Sequence, residues 1–265
     1  MLKLTDIRKT FGAGTVNEKT ALDGVNLSLA PGDFVTVLGS NGAGKSTLFG
    51  AIAGSFFPDT GTVVLDGKDI TALPDYKRSK VIGRLFQDPL KGTAPHMTIE
   101  ENLALAYLRA SEKRSPFSMI TKADRKDFRD RLSMLGLGLE DRMDHPVGLL
   151  SGGQRQALTL LMATLKQPKL LLLDEHTAAL DPKTAAKVLD ATERIVQKSG
   201  LTTMMITHNM RDAIAHGNRL VMMYDGRIVV DVSGEEKKRL TVEQLLSLFS
   251  QASGSDEVDD KLVLS

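Results

Sequence analysis

Hydrophobic positions in this chain switch between the spacing of strands and the spacing of helices. Residues 34–38 and 170–173 are continuous apolar runs, typical of strands that are covered on both faces. Residues 2–11 instead alternate apolar with polar positions, which predicts an edge strand. Beyond residue 150 predicted strands and helices alternate, which predicts a mostly parallel core sheet.

The other predicted elements follow from turn and capping signals. Strands are predicted over 25–29, 62–70 (a hairpin with an Asp66-Gly67 turn), 81–86, 201–206 and 219–231 (a hairpin with an Asp225-Gly226 turn). Helices are predicted over 46–53, 98–109, 121–135, 182–200 and 241–250. Gly54 would end the first, Thr98 and Glu101 would open the second as a capping box, and Thr121 would cap the third. A charged loop is predicted over 111–116, and the whole of 88–165 reads as a helical insertion. From residue 251 the chain is polar and acidic, and we expect a mobile tail.

A glycine-rich turn joins the strand at 34–38 to the helix at 46–53. Its residues are Gly39, Ser40, Asn41, Gly42, Ala43, Gly44, Lys45, Ser46 and Thr47. Small residues let backbone N–H groups curl around phosphate oxygens, and the helix N-terminus adds partial positive charge. Lys45 would reach the β- and γ-phosphates, and the Ser46 hydroxyl would hold Mg²⁺. The sequence therefore predicts a site for a nucleoside triphosphate.

Two carboxylates follow the strand at 170–173 directly. Asp174 is where a carboxylate for Mg²⁺ is expected, at the carboxyl end of a core strand. Glu175 would face the γ-phosphate and could act as general base for the attacking water. The alternative is a pair of solvated acids that ends a strand.

A second serine- and glycine-rich segment precedes an apolar-striped helix. Its residues are Ser151, Gly152, Gly153 and Gln154, after Leu150. They predict another helix N-terminus with unhindered N–H groups, which is a second phosphate-binding device. Two copies of the chain could each close the other's site with it. The alternative is a plain N-cap with a glycine loop.

Composition excludes several classes of function. The 265 residues carry 34 Lys and Arg against 33 Asp and Glu, so no bulk charge favours nucleic acid or anionic lipid. The absence of cysteine excludes disulfides and thiolate chemistry. The first residues lack the apolar core of a signal peptide, and no apolar run approaches the roughly 20 residues that cross a bilayer.

Taken together, these motifs resemble those of the ATP-binding cassette ATPases over about residues 1–250. Residues 39–47 match Walker A, 150–154 the signature, 170–175 Walker B, 179–181 the D-loop, Gln87 the Q-loop and His208 the switch histidine. The resemblance implies an α/β fold: a P-loop NTPase (RecA-like) core, an antiparallel β subdomain and an inserted α-helical signature subdomain at about 88–165. Residues 251–265 would form the acidic tail.

The resemblance also implies roles for single residues. Gln87 would contact Mg²⁺ and sense a membrane subunit, and His208 would contact the γ-phosphate. Asp181 would act in the D-loop, although it also reads as a helix N-cap before Pro182. Phe11 would stack on the base, with a buried core residue as the alternative. His176 departs from the family's usual Pro, and either tunes the pKa of Glu175 or, as we favour, packs passively.

The function implied is that of an ATPase subunit of a membrane transporter, an importer of a small solute such as an amino acid. It would use ATP and Mg²⁺ and work as a homodimer at the cytoplasmic face of the membrane. Its partners would be transmembrane permease subunits and an extracytoplasmic solute-binding protein, with no nucleic acid. Alternatives are a soluble cassette ATPase acting on ribosomes or DNA, and an exporter or lipoprotein-release ATPase.

Overall fold

The computed structural model describes residues 1–109 and 120–253. In chain order its elements are β1 Leu2–Phe11, β2 Lys19–Leu29, β3 Phe34–Leu38, α1 Lys45–Ala53, β4 Thr60–Leu65, β5 Lys68–Asp69, α2 Asp75–Arg78, β6 Ile82–Leu85, α3 Ile99–Arg109, α4 Lys122–Ser133, α5 Gly152–Thr164, β7 Leu170–Asp174, α6 Pro182–Ser199, β8 Thr202–Ile206, α7 Met210–Ala215, β9 Arg219–Tyr224, β10 Arg227–Ser233, α8 Gly234–Arg239 and α9 Val242–Ser253. The loop predicted over 111–116 and residues 254–265 of the predicted tail lie outside the described residues.

The chain divides into two compact units. Met1–Arg78 and the chain from Gly200 onward form the first, and Ser79–Ser199 form the second. The first unit therefore holds the predicted phosphate loop, and the second holds the predicted helical insertion. The predicted domain boundaries at 88 and 165 stay predictions.

One sheet of the first unit is antiparallel, in the strand order β2-β1-β4-β5. β1 pairs with β2 on one side, Leu4 opposite Leu27, and with β4 on the other, Leu4 opposite Val63. The prediction of an edge strand at 2–11 is therefore wrong. Its apolar–polar alternation shows that one face of the strand is buried, and it carries no information about how many neighbours the strand has.

The other strands of the first unit are β3, β8, β9 and β10. β3 runs parallel to both β8 and β9, with Val37 opposite Ile206 and Val221. β9 and β10 form the predicted hairpin, in which Asp225 and Gly226 both have positive φ. All five residues of β3 are buried, as its continuous apolar pattern predicts.

In the second unit β6 and β7 pair in parallel, and helices α3, α4 and α5 enclose a separate core. That core consists mainly of Ile99, Leu103, Phe128, Leu132, Leu139, Val147, Leu158, Leu161 and Ala191. The capping box predicted at Thr98 forms, with Glu101 N–H donating to Thr98 Oγ1 at 3.2 Å. The cap predicted at Thr121 is also a capping box, in which Asp124 N–H donates to Thr121 Oγ1 at 3.1 Å. α4 ends at Ser133, before the predicted residue 135.

A buried arginine anchors the far end of α1, the helix that follows the phosphate loop. The Arg78 guanidinium donates to the carbonyls of Ala51 and Ile52 at 2.7 and 2.8 Å. These are among the last carbonyls of the helix, which have no partner inside it. Gly54 ends the helix with a left-handed φ of 83°, as predicted.

Candidate nucleotide-binding site

The phosphate loop is folded by three glycines with positive φ: Gly39 at 149°, Gly42 at 85° and Gly44 at 102°. A β-carbon on Gly39 would lie 2.4 Å from the carbonyl oxygen of Met223, and one on Gly44 would lie 2.5 Å from that of Ala21. No other residue fits at these two positions. Alternating backbone conformations of this kind turn successive N–H groups toward one point, which makes an anion-binding concavity.

Lys45 and Ser46 occupy the start of α1. Lys45 is only 6 % exposed, and its Nζ donates to the carbonyls of Gly39 at 2.6 Å and Ser40 at 3.0 Å. The ammonium group is thus held against the loop, where it adds positive charge to the helix N-terminus. Ser46 is exposed. The loop therefore has the glycines, the cation and the helix start that a polyphosphate requires.

Phe11, at the end of β1, is the exposed member of an aromatic pair. It is 41 % exposed, so the alternative of a buried core residue is wrong. Its ring meets that of Phe56 edge to face, with centroids 5.3 Å apart. Lys9 Nζ lies 5.6 and 5.7 Å from the two rings and donates to Asp59 at 2.6 Å, which lowers the pKa of the Asp59 carboxyl. The ring of Phe11 is thus supported on one side and open to solvent.

In the second unit β7 ends on Asp174, and Glu175 follows in a left-handed conformation with a φ of 44°. A non-glycine residue in this region costs of order 1–3 kcal/mol, and such strain clusters at functional sites. Arg84 of β6 lies 3.3 Å from Asp174 Oδ2. This ion pair was not predicted, because nothing in the sequence shows that Arg84 and Asp174 lie on neighbouring strands.

The signature segment opens α5. Ser151 is its N-cap: Gln154 N–H donates to Ser151 Oγ at 3.3 Å, and Ser151 N–H donates to Gln154 Oε1 at 3.1 Å. A β-carbon on Gly153 would lie 2.0 Å from Cγ2 of Thr184, in the first turn of α6. Gly153 is therefore required for helix packing, besides any contact with a ligand.

Asp181 caps α6, as its spacing before Pro182 predicts. Its Oδ1 accepts from Thr184 N–H at 3.1 Å, and hydrogen bonds from Thr184 lower the pKa of the Asp181 carboxyl. Thr184 thus contacts both Asp181 and Gly153. The signature and D-loop segments are locked together through one threonine that the sequence does not single out.

The two remaining predicted residues follow strands. Gln87 is exposed after β6 and precedes Asp88, whose Oδ1 accepts from Leu90 N–H at 2.9 Å. His208 is half-buried after β8, beside Asn209, which caps α7. Within the first unit are Phe11, residues 39–47 and His208; within the second are Gln87, residues 151–154, Asp174, Glu175 and Asp181.

The predicted Mg²⁺ ligands offer hard oxygen atoms: the Asp174 carboxylate, the Ser46 hydroxyl and the Gln87 amide oxygen. Within 1–109 and 120–253 no cluster of three or more His, Asp or Glu could hold a metal alone. This donor set suits Mg²⁺, which is commonly bound by one or two carboxylates together with substrate phosphates.

Comparisons with known proteins place this chain in a family. Residues 22–178 match the family model described as ABC transporter. The chain is 41 % identical over 252 residues to a tyrosine transport ATP-binding protein of Clostridioides difficile, covering 95 % of this chain and 100 % of that protein. The chain belongs to the ABC transporter family. As a member, it binds ATP and couples ATP hydrolysis to transport.

Other relatives show how widely this ABC cassette is shared. The chain is 33 % identical over 89 % of its length to the spermidine/putrescine import protein PotA of Haemophilus influenzae, and spans 59 % of that protein. It is 35 % identical over 87 % of its length to the lipoprotein-releasing protein LolD of Geobacter metallireducens, of which it spans 99 %.

Solved cassettes share the fold. The dimeric post-hydrolysis cassette MJ0796 bound to ADP and Pi superposes with a TM-score of 0.76 at 30 % identity, over 88 % of this chain and 98 % of that one. The ADP form of MJ1267 gives 0.76 at 28 % identity, over 94 % and 98 %. The predicted fold, mixed α/β with an antiparallel subdomain and a parallel RecA-like sheet, is thereby confirmed. No helix in the described part of this cassette is long and apolar enough to cross a membrane.

His176 replaces the family's usual Pro after Glu175, and in this cassette it packs inside the second unit. It is 3 % exposed, and its Nε2 lies 3.2 Å from Thr192 Oγ1. Thr192 Oγ1 donates its own hydrogen to the Val188 carbonyl at 2.8 Å. His176 Nε2 is therefore the donor to Thr192. A buried hydrogen bond thus follows directly on the strained backbone of Glu175.

We predict that Thr192→Val destabilises the cassette by about 1–3 kcal/mol, because the substitution leaves a buried imidazole N–H without its acceptor. Urea unfolding monitored by circular dichroism would measure the loss. Thr62→Val, at an exposed position of β4, is the matched control and should change stability by less than about 0.5 kcal/mol. Equal stability of the two variants would contradict the role given to this hydrogen bond.

Proposed function

We propose that residues 39–47 cradle the β- and γ-phosphates of ATP, with Lys45 as the cation at the loop. The observation that carries the proposal is the loop itself, with three positive-φ glycines and a lysine held at the helix start. Phe11, exposed and supported by Phe56, stacks on the adenine. His208 contacts the γ-phosphate.

Ser46, Gln87 and Asp174 would hold Mg²⁺. When bound, the ion would neutralise charge on the phosphate oxygens. Glu175 is the general base: its carboxylate orients the attacking water toward the γ-phosphate and accepts a proton from that water. The left-handed backbone of Glu175 supports this role, because strain of this kind is retained where a side chain must be aimed.

The working form is a homodimer, in which each copy contributes residues 151–154 and Asp181 to the other's ATP. The start of α5 supports this arrangement, because Ser151 and Gly152 are exposed there and a helix N-terminus carries partial positive charge. The solved cassette MJ0796 is described as dimeric, which also favours it.

The dimer powers import from the cytoplasmic face of the membrane through separate permease subunits, with an extracytoplasmic solute-binding protein. The solute is an aromatic amino acid such as tyrosine. Support comes from the 41 % identity that spans the whole of a tyrosine transport ATP-binding protein. Relatives that import polyamines or release lipoproteins match at lower identity, between 31 and 35 %.

The docking surface for the permease is a groove of about 350 Å³ in the second unit. It is lined by Arg84, Phe86, Lys91, Gly92, Thr93, Ala94, Asn102, Leu105, Ala106, Thr159, Met162 and Ala163. Leu105 is 49 % exposed there, which makes it an accessible apolar contact for a partner helix. Two of the lining residues, Arg84 and Phe86, come just before Gln87 in the chain. A partner bound in the groove would therefore contact the segment that carries Gln87.

The wall of this groove is stiffened by Asn102, which is almost completely buried. Its Oδ1 accepts from Ala94 N–H at 2.8 Å, and its Nδ2 donates to the Ala94 carbonyl at 3.0 Å. Ala94 itself lines the groove. The backbone of the loop is therefore held in place, and docking requires little ordering of the loop.

We expect Glu175→Gln to bind ATP normally and to hydrolyse it about 10²–10⁴-fold more slowly, because a positioned general base is lost. The variant should also accumulate as an ATP-bound dimer. Phosphate release and size-exclusion chromatography with ATP measure both effects. Glu236→Gln, an exposed acid of α8, serves as control. Near-normal turnover of Glu175→Gln would exclude Glu175 as the base.

Ser151→Arg should leave ATP binding by the isolated chain intact, because each copy binds ATP through its own phosphate loop and its own Lys45. Hydrolysis should be lost, since the bulky cation would occupy the γ-phosphate position of the second copy. Ser151→Ala separates the effects: it removes the N-cap, at a cost of about 0.5–2 kcal/mol, without added bulk. If Ser151→Ala loses as much activity as Ser151→Arg, capping explains the result and the two-chain site is not needed.

Deletion of the gene should abolish tyrosine uptake, and the wild-type gene should restore it. Leu105→Glu should fail to restore uptake or to co-purify with the permease, while the purified subunit keeps its ATPase activity, because a charge at the groove opposes an apolar helix. Met134→Glu, at a residue 51 % exposed elsewhere in the second unit, is the control. If deletion stops spermidine uptake and spares tyrosine uptake, the proposed solute is wrong.

A further inference from the structure

Lys19 stands beside the proposed base-stacking residue in the antiparallel sheet. In the ladder between β1 and β2, Phe11 pairs with Lys19 and Thr10 with Thr20. Directly opposed residues of an antiparallel pair have β-carbons about 4.5–5.5 Å apart on the same face. The stem of Lys19 therefore starts next to Phe11.

The ammonium group at the other end of that side chain reaches the phosphate loop. A β-carbon built on Gly42 would lie 3.3 Å from Lys19 Nζ. Gly42 and Lys19 are both exposed. The amine thus lies at the solvent-facing side of the loop, at its second positive-φ glycine. Lys45 differs from it, because Lys45 is buried and donates to the carbonyls of Gly39 and Ser40.

The segment that carries Lys19 is anchored. The loop between β1 and β2 is closed by Thr15 N–H donating to the Gly12 carbonyl at 3.0 Å, and by Gly14 N–H donating to Glu18 Oε2 at 2.7 Å. The nearest acid along the chain, Glu18, is thus occupied by a backbone donor of its own loop. Lys19 begins a regular strand immediately afterwards.

The covalent order of base, ribose and phosphates in a nucleotide then decides which of these groups Lys19 contacts. The proposed function puts the base at Phe11 and the β- and γ-phosphates at the loop around Lys45. Ribose and the α-phosphate lie between base and β-phosphate in every nucleoside triphosphate. An ammonium placed between the same two protein features has the charge to bind the phosphate.

We propose that Lys19 is a further nucleotide-binding residue, whose ammonium contacts the α-phosphate. The inference rests on the proposed function, because it needs Phe11 at the base and Lys45 at the β- and γ-phosphates. ATP, ADP and AMP all have an α-phosphate. The contact therefore contributes equally to their binding, and it leaves the hydrolytic step unchanged.

Three variants test the proposal. Lys19→Met keeps the aliphatic stem and removes the charge. We expect it to weaken the binding of ATP, ADP and AMP by a common factor of about three to ten, as for an exposed ion pair or charge-assisted contact. Lys19→Arg should restore most of the affinity, and Lys19→Glu should lose more than Lys19→Met. Calorimetric titration of ATP and ADP, with AMP as a competitor, measures these affinities. Turnover at saturating ATP should be unchanged and KM raised.

Lys3→Met, at an exposed lysine of the same sheet, is the control and should leave all three affinities as they are. The loss caused by Lys19→Met should shrink as salt is raised, because an exposed charge pair is screened. Loss for ATP alone would assign Lys19 to the γ-phosphate, and loss for ATP and ADP with AMP spared would assign it to the β-phosphate. Either result, or unchanged affinities, overturns the proposal.

Lys45→Ala distinguishes failure of this inference from failure of the site. If Lys45→Ala abolishes ATP binding and Lys19→Met changes nothing, the phosphate loop functions as proposed and only the role of Lys19 is wrong. If Lys45→Ala leaves ATP affinity intact, the proposed nucleotide site itself is wrong.

Discussion

The close approach of backbone to backbone at the phosphate loop is the constraint on which this cassette depends. Gly39 lies against the Met223 carbonyl of β9, and Gly44 lies against the Ala21 carbonyl of β2. Both contacts are possible only without a β-carbon. They tie the loop to the parallel strands on one side and to the antiparallel sheet on the other. The cradle is therefore shaped by its neighbours as much as by its own glycines, and Lys45 and Lys19 can be held at defined places around it.

In the second unit, side-chain hydrogen bonds hold the proposed ligand-binding segments in place. Ser151 and Asp181 cap two helices, and Thr184 contacts both the Asp181 carboxylate and Gly153. A helix start leaves four N–H groups without a partner inside the helix, and the capping box of Ser151 and Gln154 uses two of them, so one segment can serve both roles. In this cassette the structural and functional interpretations of the signature segment are compatible, and the Ser151→Ala and Ser151→Arg variants separate them.

Strain and its support are adjacent along the chain. Glu175 has a left-handed backbone, and the next residue, His176, is buried and donates to Thr192. Thr192 is in turn bonded to the Val188 carbonyl of α6. His176 thus ties the segment that follows Glu175 to helix α6. The substitution of the family's Pro by His176 exchanges a conformational restriction for a buried hydrogen bond, and both are ways to fix the backbone that follows Glu175.

Sequence alone determined the local features of this protein. The glycine-rich turn, the capping boxes at Thr98 and Thr121, and the left-handed glycine at Gly54 depend on residues within a few positions of one another, where periodicity and capping chemistry are decisive. The order of these motifs along the chain was also enough to predict the family and the mixed α/β fold. Short helices such as α7 and α8 were missed, because six residues give too little periodicity to recognise.

Tertiary structure decided everything that depends on which strands are neighbours. The alternation of β1 predicts a buried face, but only the sheet shows that β1 is paired on both sides. Phe11 could have been core or surface by its type, and its exposure follows from its place at the end of that strand. Lys19 carries no motif, and it matters only because β2 pairs it with Phe11 and places its amine at Gly42. Contacts between residues far apart in sequence arise when whole helices and strands pack together. The local pattern of hydrophobic and polar residues does not encode these contacts.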